Sequence, residues 1–329
     1  MTDDLVHRIE ALSSQQNSPR AFGEQLVSRL RSRVPSEGYV FAVTDPVTLV
    51  SVSPVADVPM LPWARLPELI RRRYLTPSRR LDALLGTARS GLWDPMLAEI
   101  GVVDTAAVTL GDRHGTWGSV ELWRTNTAFT HSELDLLTQV ASAATAGLRT
   151  AVSRTFAHDA QQLLPVGPAV VILDPDLALR SQTDSAAATL LTLLPPGEEM
   201  APIPAAAYNV GAALIAQEQG AAVGEPWGRV HLGGSRWVTV KASRLGDDIA
   251  VSIEPSTPAE RTDLLGRACA LSPREQEVLA LVVRGLDSRT IAEQLVVAVT
   301  TAEDHVKALL AKTGCRTRQV LTARALGAA

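Results

Sequence analysis

Several residue types that mark particular protein classes are scarce in this sequence. Only two of its 329 residues are cysteine, Cys269 and Cys315, so neither a disulfide framework nor a cysteine metal cluster is expected. No apolar run reaches the roughly 18 residues that a membrane-spanning helix needs. The first residues are acidic and lack the basic and apolar segments of a signal peptide. We therefore expect a cytoplasmic protein that makes no contact with a membrane.

The overall charge is also small, with a formal net value of −4 at pH 7. Hydrophobic residues make up 46% of the chain and charged residues 20%, which is typical of folded rather than disordered proteins. The length predicts two or three domains of roughly 100–200 residues each. From Glu260 onward there are ten basic and eight acidic residues, against 21 basic and 27 acidic residues before it. This asymmetry is too mild to indicate nucleic-acid binding by itself.

Residues 1–155 follow the pattern of an α/β domain. Apolar spacing within 20–33 predicts a helix, after which come a pair of short strands and a helix-rich segment. Two further strands, Thr105–Leu110 and Trp117–Trp123, flank a glycine-containing turn and predict a hairpin. A capping box at Thr130–Glu133 then begins a long helix. This order resembles that of GAF domains, and the resemblance implies a fold that senses small molecules.

Residues 156–257 form the second block. A strand over Val170–Leu173 ends at Asp174–Asp176, which is interpreted as a turn because the neighbouring acidic residues of a phosphate-accepting site are missing. A helix near 205–219 and three closing strands follow, with glycine-containing turns between the strands. These strand segments are Arg229–Leu232, Arg236–Ala242 and Ile249–Ile253. The order resembles an α+β PAS domain, and Pro255–Pro258 is interpreted as a linker.

Residues 258–329 carry the most specific signals, and four helices are predicted there. The first begins with a capping box at Ser272–Glu275 and ends at Gly285. A short second helix and a third over about 300–313 are joined by a tight turn, which indicates a helix-turn-helix. The candidate caps of the second helix are Asp287 and Ser288. A fourth helix follows Thr317.

The segments LSPREQEVLALVVRGLDSRTIAEQL and HVKALLAKTGCRTR resemble the DNA-binding domain of LuxR-type transcription regulators. The whole chain resembles an actinobacterial subgroup with GAF-like and PAS-like domains before this one. The resemblance implies binding of double-stranded DNA by a homodimer, with base reading near the start of the third helix and a dimer surface at 317–326. The residues at matching positions are Glu303, Asp304 and Lys307 for base reading, and Thr301, Arg316 and Arg318 around the DNA backbone. Thr300 is a further candidate for DNA contact.

Three residues depart from the family pattern: Ala298 stands where Ser is usual, Ala302 where Val is usual and Glu303 where Lys is common. An acidic side chain facing DNA is repelled by phosphate, although it can accept a hydrogen bond from cytosine N4. A second hypothesis is that Thr300 is the N-cap and Glu303 completes a capping box with it. Lys307 is placed either to pair with Glu303 four residues earlier or to bind phosphate.

All six tryptophans precede residue 260. Trp63, Tyr74, Trp93 and Trp117 are candidates for a sensor pocket lined by aromatic rings, and packing in the hydrophobic core is the alternative for each. The histidines are scattered without metal-ligand spacing, so neither a metal nor another cofactor is expected. The two cysteines fit either a redox switch or small buried apolar residues.

Together these patterns predict a multidomain α+β protein with a GAF-like domain at 1–155, a PAS-like domain at 156–257 and an all-α LuxR-type domain at 258–329. The predicted function is that of a non-enzymatic transcription regulator, whose sensor domains respond to a small-molecule effector or a partner. The alternative is a co-regulator that does not read DNA and acts through protein–protein contacts. A steep dependence of DNA affinity on salt would separate the two.

Overall fold

The computed structural model describes residues 2–15, 18–76, 88–92, 94–157, 169–191, 205–221 and 224–327. Trp93 lies outside these ranges. Three parts of the chain are distinguished below: an N-terminal unit (2–157), a middle unit (169–255) and a C-terminal unit (258–327). Within the described residues, no helix combines the length and hydrophobicity required to cross a bilayer.

The N-terminal unit is a five-stranded antiparallel sheet with the strand order β2-β1-β5-β4-β3. Its strands are β1 (Gly38–Thr44), β2 (Ser51–Asp57), β3 (Arg89–Ser90), β4 (Asp104–Asp112) and β5 (Gly115–Arg124). Its helices are α1 (Thr2–Gln15), α2 (Pro19–Arg31), α3 (Leu66–Leu75), α4 (Pro95–Glu99) and α5 (His131–Thr155), with a 3-10 turn at Trp63–Arg65. The predicted hairpin and the capping box of α5 are confirmed, whereas α1 is an addition to the predicted elements.

Both faces of this sheet are covered by helices. Neighbouring residues of a strand point to opposite faces, and in β5 Leu122 packs into the large core with α1, α2 and α5. The next residue, Trp123, packs into a smaller cluster with Leu69 of α3 and Leu97 of α4. A side chain at Gly23 of α2 would place its Cβ 2.0 Å from the ring of Phe41, so this helix lies directly against the sheet.

The middle unit is a second five-stranded antiparallel sheet, with the order β7-β6-β10-β9-β8. Its strands are β6 (Ala169–Leu173), β7 (Leu179–Gln182), β8 (Trp227–His231), β9 (Trp237–Leu245) and β10 (Asp248–Pro255), and its helices are α6 (Asp184–Leu191) and α7 (Ala205–Glu218). In chain order within each unit, both sheets are arranged 2-1-5-4-3. One face is apolar and includes Val230, Val240 and Val251, whereas the other face carries the polar residues Arg229, Thr239 and Lys241.

The C-terminal unit contains five described helices rather than the four predicted. They are α8 (Pro258–Ala268), α9 (Pro273–Val283), α10 (Ser288–Leu295), α11 (Val299–Thr313) and α12 (Arg318–Leu326). The interpretation of Pro255–Pro258 as a linker is wrong, because β10 continues to Pro255 and a capping box at Thr257 and Glu260 begins α8. Helix α8 packs on α5, α9 and α12. One continuous cluster of buried apolar side chains therefore runs through all three units.

Candidate nucleic-acid interface

Helix α9 begins as predicted and is tied to the end of α11. Ser272 Oγ accepts a hydrogen bond from the backbone of Glu275 at 3.3 Å, and the Glu275 carboxylate accepts one from the backbone of Ser272 at 2.7 Å. The same carboxylate accepts a bond from Lys312 Nζ at 2.7 Å. Burial alone would raise the pKa of Glu275, but the bonds from Lys312 and Ser272 outweigh it and lower the pKa. One carboxylate thus fixes α9 relative to α11.

The short helix α10 is held at both ends. Asp287 is its N-cap and accepts a hydrogen bond from the backbone of Thr290 at 2.8 Å. At the other end, Arg274 of α9 donates to the carbonyl oxygen of Leu295 at 2.7 Å. The chain then turns at Val296, which adopts a left-handed conformation with φ of 53°. These contacts set the angle between α10 and α11, the two helices of the helix-turn-helix.

The start of α11 differs from the capping hypothesis. Its N-cap is Ala298, which makes no side-chain capping bond, and the helix begins at Val299. The amide of Ala302 already donates to the carbonyl of Ala298 at 3.1 Å, so Thr300 lies inside the helix and cannot be its N-cap. The predicted capping box of Thr300 with Glu303 is wrong. The Glu303 side chain is consequently available to solvent or to a ligand.

The predicted DNA-contacting residues of α11 share one exposed face. They are Thr300, Thr301, Glu303, Asp304 and Lys307. The opposite face buries Ala302, Val306 and Leu309 against the rest of the unit. Among the described residues, neither Glu303 nor Asp304 forms an ion pair, and the hypothetical Glu303–Lys307 pair is not formed. The face therefore presents two hydroxyls, two carboxylates and one ammonium group to the outside.

The two arginines that follow α11 differ in their surroundings. Arg316 is exposed, just after α11 ends at Gly314 with φ of 65°. Arg318 is half-buried and donates to the carbonyl of Leu286 at 3.4 Å and to the hydroxyl of Ser288. Arg318 thus supports the turn before α10, whereas Arg316 is exposed in the segment that follows α11.

The three predicted sensor residues that the structure describes do not line one cavity. Trp63 is 43% exposed and lines a cavity of about 480 Å³. Tyr74 is buried, and its hydroxyl accepts a hydrogen bond from the backbone of Ser51 at 3.1 Å. Trp117 is also buried and donates to Asp112 at 3.2 Å. Tyr74 and Trp117 therefore occupy the core, which is the alternative that the sequence leaves open for them.

The cavity beside Trp63 lies between the N-terminal and middle units. Its walls come from β2, α3 and the first turns of α7, including Ala206 and Asn209. Trp123 also lines it and donates through its ring nitrogen to Glu121 at 2.6 Å, while Arg73 pairs with the same carboxylate. Sequence patterns did not indicate that α7 would close this space, because the contact joins distant parts of the chain.

The two cysteines carry no disulfide. Burial raises the pKa of the Cys269 thiol to about 12, so the thiol is protonated at neutral pH. The reactive form of cysteine is the thiolate, and this environment favours the interpretation of Cys269 as a small buried apolar residue.

The tight α10–α11 pair, supported by α9 and presenting an exposed helix face, defines a helix-turn-helix of the DNA-binding class. Residues 269–325 match the family described as "GerE: Bacterial regulatory proteins, luxR family". This segment is thus a LuxR-family helix-turn-helix domain, which indicates DNA binding and transcription regulation. The match does not extend to the two sheet units.

No curated protein matches the chain. Among solved structures, Escherichia coli SdiA is 12% identical, with a TM-score of 0.35 and coverage of 99% of this chain and 98% of that chain. The E. coli DhaR(N)–DhaL complex contains a chain that is 15% identical, with a TM-score of 0.25 and coverage of 78% of this chain and 90% of that chain.

Proposed function

We propose that this protein is a transcription regulator that binds double-stranded DNA as a homodimer through α11. The observation that carries the proposal is the single exposed face of α11, from Thr300 to Lys307, within a domain of the LuxR family. Side chains on this face point away from the rest of the chain, and the ends of α9 and α10 are fixed. A preorganised, outward-facing helix is what insertion into a major groove requires.

Each residue on this surface has a role that follows from its chemistry. Thr300 and Thr301 stand in the first turn of α11, where backbone amides and hydroxyls bind phosphate. Lys307 and the exposed Arg316 are suited to neutralise phosphates. Glu303 and Asp304 accept hydrogen bonds only, so they fit the amino group of cytosine N4. Arg318 contributes less directly, by supporting α10.

The sheet units are proposed to act as sensors, with a GAF-like N-terminal unit and a PAS-like middle unit. The cavity of about 480 Å³ beside Trp63 supports this, because its size falls within the range of small-molecule sites. The effector is proposed to be a small molecule bound there. The homodimer is supported by α12, on which Val320 and Leu326 are 45% and 37% exposed.

A second candidate function is that of a co-regulator that acts through protein contacts. The two carboxylates of Glu303 and Asp304 favour it, since they place negative charge on the face that would approach phosphates. The two functions differ in their response to salt, because release of counterions from DNA makes affinity fall steeply with salt concentration.

The test is selection of sequenced genomic fragments by the full-length protein, followed by affinity measurements on the enriched site. We expect a short site with two-fold symmetry. Lys307→Met and Arg316→Met should each weaken binding and reduce the slope of log K against log salt by about 1. Arg284→Met is the matched control, since Arg284 is an exposed arginine at the end of α9.

The same site tests the role of the acidic residues. Glu303→Gln should change the preferred base at one position of each half-site and leave the remaining positions as they are. If no site is enriched even at low salt, DNA reading is excluded and the co-regulator function takes its place.

A further inference from the structure

Arg229 of β8, in the middle unit, binds groups from both of the other units of the protein. Its Nε donates to Asp45 Oδ2 at 2.6 Å, and its Nη2 donates to Asp45 Oδ1 at 3.0 Å. Its Nη1 donates to Asp263 Oδ2 and to the carbonyl of Glu260, both at 2.8 Å. Asp45 belongs to the turn between β1 and β2, and Asp263 and Glu260 belong to α8. We call Arg229, Asp45 and Asp263 the Arg229 cluster.

The cluster is buried at its centre and open at one end. The side chain of Arg229 is 1% exposed and that of Asp45 is 0% exposed, whereas Asp263 retains 35% of its exposure. A charge buried this deeply is tolerated only when it is paired and hydrogen-bonded. The planar guanidinium group suits this arrangement, because it donates in several fixed directions at once. A lysine has one ammonium group and cannot reach both carboxylates in the same way.

Other polar contacts of α8 each involve fewer units. Glu260 accepts from Thr239 Oγ1 at 2.8 Å and pairs with Lys241 at 3.2 Å, both in the middle unit. Arg267 donates to the carbonyl of His114 in the N-terminal unit at 3.2 Å. Arg229 belongs to the middle unit, and its side chain connects that unit to both the N-terminal unit and α8.

Helix α8 leads directly into the DNA-binding helices. Only Cys269 to Ser272 separate it from α9, and Arg261 of α8 donates to the carbonyl of Ala325 at the end of α12, at 3.1 Å. The same arginine donates to the carbonyl of Ser235 in the middle unit at 2.8 Å. The orientation of α8 on the two sheets therefore sets the orientation of α9 to α12.

We propose that Arg229 is a positioning residue, which locks α8 and the DNA-binding helices in one orientation against both sheet units. The consequence for DNA binding rests on the proposed function. If both helix-turn-helix domains of a dimer are held rigidly, the protein accepts half-sites at only one spacing. Loosening the cluster at α8 relaxes this spacing while the residues of α11 continue to read each half-site.

Two variants of the full chain weaken the cluster without emptying its centre. Arg229→Lys keeps a positive charge beside Asp45 but loses the fork that also reaches α8. Asp263→Asn keeps the Arg229–Asp45 pair and removes the carboxylate charge that Asp263 presents to Arg229 and to Arg267 of its own helix. The control is Arg244→Lys, since Arg244 of β9 pairs with Glu218 at 2.6 Å and both side chains are more than a third exposed.

The first measurement is amide hydrogen exchange, which does not require DNA. In both cluster variants, the amides of α8 should exchange about tenfold faster than in Arg244→Lys, with exchange in α9 to α11 unchanged. Exchange of α8 at the rate of the control would overturn the proposal. An equal acceleration throughout the chain would also overturn it, because Arg229 would then contribute general stability alone.

The second measurement uses the selected DNA site with 5 bp inserted between its half-sites, about half a helical turn. The original protein and Arg244→Lys should lose about tenfold or more in affinity, and the cluster variants less than about threefold. Affinity for a single half-site should stay the same in all four proteins. An equal preference for half-site spacing in all four proteins would contradict the positioning role of Arg229. Absence of DNA binding in all four would contradict the proposed function, and the positioning role would then be decided by hydrogen exchange.

Discussion

In each sheet the first two strands are joined by the same kind of turn, but the two turns differ in their contacts with the rest of the protein. In the N-terminal unit Asp45 is followed by proline, and its Oδ1 accepts from the backbone of Val47 at 2.9 Å. In the middle unit Asp174 is also followed by proline, and its Oδ1 accepts from the backbone of Asp176 at 2.9 Å. Aspartate stabilises such turns by bonding to its own backbone two residues later. The local chemistry of the two turns is therefore the same.

The difference lies in what reaches the aspartate from elsewhere. Asp45 is 1% exposed and receives the guanidinium of Arg229. Asp174 is half-buried and forms no ion pair among the described residues. The turn itself thus needs only its short-range hydrogen bonds. The buried Arg229–Asp45 pair forms in addition, where the middle unit contacts the N-terminal unit. The comparison separates a local folding signal from a contact that joins two units.

The parallel extends to the helices that leave the sheets. The fifth strand of the N-terminal unit leads to a capping box of Thr130 and Glu133 at the start of α5, and the fifth strand of the middle unit leads to one of Thr257 and Glu260 at the start of α8. Helix α8 is therefore the counterpart of α5 in the second unit. Unlike α5, helix α8 also connects its unit to the DNA-binding helices.

The matched pair Asp45→Asn and Asp174→Asn should separate the two turns most strongly. Asparagine preserves the bond to the backbone in both turns. In Asp45→Asn the buried Arg229 loses its bidentate carboxylate, and we expect a loss of about 4 kcal/mol of unfolding free energy. Asp174→Asn should cost less than about 0.5 kcal/mol. Urea unfolding of both variants checks this, and equal losses would mean that the aspartates act only within their turns.

Local signals in the sequence account for much of the fold. The capping boxes at Thr130 and Ser272 and the β4–β5 hairpin are confirmed because each depends on residues close together in the chain. The Arg229–Asp45 pair joins residues 184 positions apart, and no short pattern could indicate it. The equal strand order of the two sheets was missed for the same reason, since it is a property of pairing between distant strands.

The site on α11 could be predicted in its position but not in its details. The spacing of apolar residues places Lys307 on the exposed face, as the structure has it. The capping hypothesis failed because Thr300 has the capping-box spacing to Glu303, whereas the N-cap is Ala298, in an apolar segment that offers no capping side chain. Burial of Ala302 in the first turn decides in favour of the earlier start, and the sequence gives no direct measure of that packing.

The capping boxes at the starts of α5 and α8 should differ in how their contribution to stability changes at acid pH. Glu133 accepts from Arg124 Nη1 at 3.1 Å, and chiefly this arginine lowers the pKa of Glu133 to about 2. Its contribution to stability is present above about pH 4.5, the unfolded value, and is lost as the pH falls towards 2. Glu133→Gln should lower the free energy of unfolding by about 2 kcal/mol at neutral pH. It should also make this free energy depend less on pH below about 4.5.

Glu260 provides the matched variant for α8. Burial opposes the bonds from Thr257, Thr239 and Lys241, so the pKa of Glu260 is lowered by less. Stability from Glu260 is likewise present above the unfolded pKa and is lost below it, but Glu260→Gln should flatten the profile less than Glu133→Gln. Urea unfolding between pH 2 and 7 measures the pH dependence of stability in both variants. A larger change in Glu260→Gln than in Glu133→Gln would contradict this prediction.

The last comparison concerns two residues other than glycine that adopt a left-handed conformation. Leu177 follows the Asp174 turn with φ of 67°, is fully buried and packs beside Gly211 of α7. Val296, between α10 and α11, has φ of 53° but is 90% exposed. A branched side chain is strained in this conformation, whereas asparagine adopts it readily. Burial offsets the strain at Leu177, and nothing comparable does so at Val296.

Asparagine at the two positions should therefore change stability in opposite directions. Val296→Asn should raise the unfolding free energy by about 1 kcal/mol through relief of strain. Leu177→Asn should lower it by about 2 kcal/mol or more, because a buried apolar side chain is lost. Thermal and urea unfolding of the full chain measure both changes. Destabilisation by both substitutions would mean that the exposed Val296 makes a contact worth more than its backbone strain, which places that contact at the turn leading into α11.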